Sequence, residues 1–148
     1  MTLDPRPDHI SPEGLARLEG TIEQAEGCRL TAYQDTLGVW TIGIGTNLQE
    51  LRIDRGTAVA WLRAKVYQSE RDAGTFPWYA GLTLNRQLAI IELIYNMGRP
   101  RFTGFVHMIS ALAAKDYPTA AAELVASAWT GQVGPTRAAR LHDAILRG

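Results

Sequence analysis

Three side chains that could do acid–base chemistry fall within sixteen residues of one another in the stretch AEGCRLTAYQDTLGVWTIGIGTNL, Ala25 to Leu48: Glu26, Asp35 and Thr41. Cleavage of a glycosidic bond needs such a set. One carboxylic acid protonates the departing oxygen, while a carboxylate on the other side of the sugar activates water or attacks carbon. A hydroxyl, which both donates and accepts, can hold the water. Two acids nine residues apart also arise by chance in a chain of this size, so the elements that carry them decide the reading.

Upstream, SPEGLARLEGTIEQAEG opens with Ser11 as a helix N-cap and Pro12 at the first helical position. Leu15, Leu18, Ile22 and Ala25 recur at three and four residues as one apolar stripe, and Gly27 ends the helix. Glu26 therefore sits in the last turn. There it faces the negative end of the helix dipole, which disfavours a carboxylate unless a cation compensates. With an apolar neighbourhood this suits a proton donor, whereas Asp35 in a solvated turn suits an ionised partner. RLTAY and VWTIGIG then have the period and β-branched content of a hairpin around QDTLG. Alternation puts Val39, Thr41 and Gly43 on one face and Trp40, Ile42 and Ile44 on the other, so that Thr41 looks away from the bulkier side and into a cleft, partly exposed.

From Asp54 onward the pattern is helical. Asp54 caps a helix with Ala58, Trp61, Leu62 and Val66 on one face; NRQLAIIELIYNMG runs from an Asn cap to a Gly stop with Leu88, Ile91, Ile94 and Tyr95 inward. Two further helices join at Asp116 to Pro118, and TRAARLHDAILRG closes the chain behind the loop TGQVGP. The expected architecture is α+β in a single domain over 1–148: an arm (1–10), a first helix (11–27), a small hairpin lobe (28–53) and a helical lobe of five elements (54–148), with the cleft between the lobes.

Composition narrows the class. The 148 residues are 46% apolar and 20% charged with net charge zero, which is ordinary for a globular domain, and no apolar run approaches a membrane span. A soluble monomer without stable membrane insertion is expected. Acids outnumber bases eleven to eight up to residue 74, and bases outnumber acids seven to four beyond it, so no basic excess marks a nucleic-acid binder. Met1 to His9 carry Asp4 and Asp8 in place of a basic and apolar leader, so no signal sequence is read there. Cys28 is the sole cysteine, which excludes an internal disulfide, and reads as a partly buried packing residue at the helix end. His9, His107 and His142 share no ligand spacing with acids or cysteine, so neither metal nor cofactor is expected.

The segment from Glu26 to Leu48 resembles the active-site stretch of the phage-type lysozymes, a glycoside hydrolase family that includes the T-even phage enzymes. The family pattern of Glu-Gly, an aromatic with Asp, Gly with an aromatic, and Thr-Ile-Gly-x-Gly is met with Glu26, Asp35 and Thr41 at spacings of nine and six. YNMG at Tyr95, Gly104-Phe105, and Trp129 through Gln132 to PTRAAR continue the resemblance in order over nearly the whole chain.

It implies hydrolysis of the β-1,4 bond between N-acetylmuramic acid and N-acetylglucosamine in bacterial peptidoglycan. Glu26 would be general acid, Asp35 would position or activate water, and Thr41 would fix it. Asn47 and Tyr95 would touch saccharide. Asn96 and Trp129 would stand behind Glu26, although Trp129 reads equally as a core aromatic and Asn96 as a partner for buried backbone groups. Arg137 would pair with the catalytic Glu. The resemblance further implies an endolysin made in the host cytoplasm and acting on the wall after holin-dependent release. A catalytically inactive wall-binding or phage structural module is the alternative. Four departures stand out: Thr46 where the family has His, a shorter segment from Gly45 to Asp54, a loop TGQVGPTR one residue longer, and Ala25 where an acidic partner for Arg140 is expected.

Overall fold

The computed structural model describes residues 10–148, so all of the expected N-terminal arm except Ile10, together with His9, lies outside the described residues. Helix α1, Pro12–Glu26, begins as its sequence dictates: the Gly14 N–H donates to Ser11 Oγ at 3.1 Å, and Pro12 occupies the first turn, where its missing N–H costs nothing. It stops at Gly27, whose φ of 70° belongs to the left-handed region and whose N–H donates to Glu23 O. The apolar stripe forms the helix but supplies no buried residue.

Strands β1 (Arg29–Gln34), β2 (Trp40–Gly43) and β3 (Thr46–Asn47) make one antiparallel sheet in that order. The expected hairpin thus gains a third short strand. Tyr33 pairs with Thr41, and Thr41 with Asn47, so these three share a face around the central strand. A bulge interrupts β1 between Arg29 and Tyr33.

Helix α2 spans Arg55–Gly74, and the chain divides within it, after Val59, into two compact units. Asp54 caps α2 as expected, accepting from the Thr57 N–H at 2.6 Å. The bonds from Thr57 hold the Asp54 carboxyl below its ordinary value of 3.8. A folded value below the unfolded one means that this cap stabilises above the unfolded value and is lost as pH falls through the folded one. Asp54→Ala should therefore lower the melting temperature at neutral pH and flatten its decline on acidification below about pH 4, as thermal melts across pH would show.

The second unit continues with a 3₁₀ turn at Tyr79–Gly81 and helices α3 (Leu84–Met97), α4 (Arg99–Phe102), α5 (Val106–Ala113), α6 (Tyr117–Ala126), α7 (Trp129–Val133) and α8 (Pro135–Arg147). Seven helices from α2 to α8 replace the five expected among the described residues: α4 was not foreseen, and the supposed loop TGQVGP is mostly α7. Thr83, not Asn85, caps α3, with Arg86 N–H donating to Thr83 Oγ1 at 3.5 Å; Asn85 lies within the first turn, two residues past the cap.

The core of this unit is built on Ile90, Leu93, Ile94, Phe102, Met108, Leu112, Leu124, Trp129, Leu141 and Ile145, all buried. Each such side chain contributes about 1.5–3 kcal/mol of burial. Ile94 faces inward as expected and Ile91 and Tyr95 are half-buried, whereas Leu88 and the α2 residues Ala58, Trp61 and Leu62 are exposed; α2 buries Ser69 and Ala73 instead. Arg86 is the one buried cation among the described residues. Its Nε and terminal nitrogen donate to Ile145 O at 2.8 Å and Leu146 O at 3.1 Å, and its guanidinium stacks on Tyr117, so a positive charge meets the negative end of α8.

Candidate active site

In the first unit, Glu26 is the last residue of α1, and its carboxylate packs on Gly45, between β2 and β3. A Cβ at Gly45 would lie 2.9 Å from Glu26 Oε2, and Gly45 has φ +66°, so both the close approach and the backbone require glycine there. Among the described residues the Glu26 side chain is exposed, where an apolar neighbourhood was expected. Gly45→Ala should cost about 1–2 kcal/mol for its left-handed backbone and push the Glu26 carboxylate aside. Urea denaturation would read the first effect and loss of any Glu26-dependent activity the second.

Asp35 and Thr41 are joined through Val39. Asp35 Oδ1 accepts from the N–H groups of Leu37 and Val39, each at 2.8 Å, while the Asp35 N–H donates to Val39 O at 3.0 Å. The same Val39 carbonyl accepts the Thr41 hydroxyl at 3.1 Å. Asp35 Oδ2 has no protein donor among the described residues. Because its hydroxyl proton is committed to Val39, Thr41 Oγ1 presents lone pairs. Both functional groups are thus acceptors for a third group such as water.

Thr41 is 5% exposed, while Trp40 on the other face of β2 is 49% exposed. The expectation that Thr41 lies partly exposed, on the less covered side, is corrected: alternation defines two faces, but only packing decides which is covered. Cys28 is exposed, not partly buried. Asn47 Oδ1 accepts from the Gln49 N–H at 2.9 Å, which shapes the turn after β3 and commits its oxygen there.

In the second unit, Tyr95 is half-buried with Lys65 Nζ 4.3 Å from its ring centroid. Trp129 is buried in the core, as one of its two readings had it, and its indole N–H donates to Asn96 Oδ1 at 2.7 Å. Asn96 therefore serves an indole N–H, not buried backbone. Arg137 Nε meets Glu92 Oε1 at 3.0 Å, and the same oxygen receives an Arg140 terminal nitrogen at 2.6 Å. Arg140, read as lacking an acid because Ala25 stands where one was expected, thus has Glu92. Sequence reasoning missed Glu92, Gly45 and Val39. A lone acid in the apolar run IIELIY was the one signal available for the first.

A small antiparallel sheet with a glutamate-bearing helix end, followed by a mainly helical body, defines an α+β protein of the lysozyme-like class. The model of the phage lysozyme family matches residues 23–141, and the chain belongs to that family. It is 35% identical over 121 residues to an endolysin of Acyrthosiphon pisum secondary endosymbiont phage 1, covering 79% of this chain and 78% of that one. A probable T4-type lysozyme 1 of Dictyostelium discoideum is 24% identical over 165 aligned positions, covering 90% and 96%. No helix of the described residues is long and apolar enough to cross a membrane.

Proposed function

We propose that this chain is a peptidoglycan hydrolase, a muramidase that cleaves the β-1,4 bond between N-acetylmuramic acid and N-acetylglucosamine and serves as a phage endolysin in host lysis. The observation that carries the reading is the pairing of Asp35 and Thr41 through Val39 in the unit that also holds Glu26. Water that donates one hydrogen to Thr41 Oγ1 and the other to Asp35 Oδ2 keeps a lone pair free for the anomeric carbon. Asp35 takes the proton as the bond to carbon forms, and Glu26 gives its proton to the leaving oxygen. Asn47, opposite Thr41 on β3, keeps its amide N–H donors for a sugar hydroxyl or carbonyl. Membership in the phage lysozyme family and the likeness to a phage endolysin support wall peptidoglycan as substrate; delivery through a holin lesion belongs to the same reading.

The test is incubation of purified Gram-negative peptidoglycan with the wild type, with mass analysis of the released ends. Soluble muropeptides with reducing muramic ends are the expected product. Anhydro ends would replace water attack by intramolecular transglycosylation, and absence of release would leave a wall-binding or structural module.

A further inference from the structure

Thr41 carries the hydroxyl that the hydrolase reading gives to the attacking water, yet it is 5% exposed. Its neighbours across the sheet are fixed by register. Tyr33 on β1 and Asn47 on β3 both stand directly opposite Thr41, so the three side chains leave the sheet on one face, with the Cβ atoms of direct partners about 4.5–5.5 Å apart. Tyr33 is the largest of them and is half-buried. The Arg29 guanidinium lies over its ring, 4.4 Å from the centroid, as a cation drawn to the electron-rich face of an aromatic does. Opposite Arg29 on β2 is Gly43, so no side chain of that strand competes for this end of the face. Although Glu26 is only three residues before Arg29, no ion pair joins them among the described residues. The phenol hydroxyl of Tyr33 likewise makes no hydrogen bond among the described residues, whereas the ring has Arg29 and Thr41 as neighbours.

We propose that Tyr33 is a positioning residue that acts through Thr41: its ring, steadied by Arg29, walls the hydroxyl so that water reaches it and a larger nucleophile does not. The inference rests on the hydrolase reading above, in which Thr41 Oγ1 and Asp35 Oδ2 share one water. Two acceptors fix the directions of the water's hydrogens but not the space around its oxygen. A rigid ring beside Thr41 fixes that space, and a displaced nucleophile loses rate steeply because attack needs the reacting atoms close and aligned. The rest follows from size. With the ring removed, the oxygen is held less tightly, and an alcohol can take its place: its O–H adds to the anomeric carbon, Asp35 takes the proton, and Glu26 protonates the leaving oxygen as before. The product then ends in an alkyl glycoside instead of a reducing sugar.

The experiment digests peptidoglycan with wild type, Tyr33→Ala, Tyr33→Leu, Tyr33→Phe and Arg29→Gln at one fixed concentration of methanol, well below each variant's melting temperature, and reads methyl glycoside against reducing ends by mass. Tyr33→Ala should lose about ten- to a hundredfold in kcat with little change in KM, and its ratio of methanolysis to hydrolysis should rise severalfold. Tyr33→Leu, which keeps apolar bulk without a flat ring, should move the same way and carries the test if Tyr33→Ala does not fold. Tyr33→Phe keeps the ring and its stacking, so it should match the wild type in both readouts. Arg29→Gln should raise the ratio by less than Tyr33→Ala. A folded Tyr33→Ala or Tyr33→Leu with an unchanged methanolysis ratio overturns the proposal, whatever its rate, and so does a Tyr33→Phe no better than Tyr33→Ala. A rise in KM alone would also overturn it, by making Tyr33 a saccharide contact. A wild type that releases no hydrolysed ends defeats the hydrolase reading, and this one with it, and is told apart because it is seen without any variant or methanol.

Discussion

Glu26→Gln should fold as the wild type does and lose hydrolysis of peptidoglycan by about 10² to 10⁴, the contribution of a positioned general acid. Folding should survive because Glu26 is exposed at the end of α1 and its side chain makes no hydrogen bond or ion pair among the described residues. The amide is nearly isosteric, so it still fits over Gly45, where the carboxylate packs closely enough that a Cβ would stand 2.9 Å from Oε2. What it lacks is the proton. Soluble muropeptide release, with circular dichroism as the folding control, decides the matter, and turnover near the wild-type rate would reject Glu26 as the acid.

Trp129→Ala should be the most destabilising single substitution in the second unit, at about 3–5 kcal/mol, the usual cost of emptying a large aromatic site. Trp129 is 1% exposed, belongs to the core cluster and is the largest of its fully buried side chains. Trp129→Phe separates packing from hydrogen bonding. It keeps most of the ring volume and removes the N–H that Asn96 accepts, and Asn96 is exposed enough to bond water instead. Its cost should stay near 1–2 kcal/mol, the scale of one lost hydrogen bond and a small void. Urea denaturation of the three proteins gives both differences. Equal losses in the two variants would mean that the indole N–H, not the packed ring, carries the stability.

Several helix ends and turns, though not the cap of α3 or the short helices α4 and α7, were legible in advance because their signals are local. Ser11 with Pro12, Gly27, Asp54 and the Asp35 turn act through bonds to backbone groups two to four residues away, and each is found in place. The candidate acid, its partner and the threonine could be chosen because their residue types and spacing fall on one helix end, one turn and one strand. Faces were less legible. Periodicity told that Thr41 and Trp40 lie on opposite sides of β2, and that α2 and α3 carry apolar stripes, but burial depends on what the rest of the chain lays against them.

By itself the sequence determined the α+β class, the order of helix, sheet and helical body, and the identity of the chemically able residues, since capping, turn chemistry and residue type are properties of neighbours along the chain. Only the tertiary structure decided that Val39 joins Asp35 to Thr41, that Glu26 rests on Gly45, and that Arg137 and Arg140, 45 and 48 residues beyond Glu92, share one of its oxygens. The reason is physical: such contacts depend on close packing between elements distant in sequence, whose mutual approach no local preference specifies.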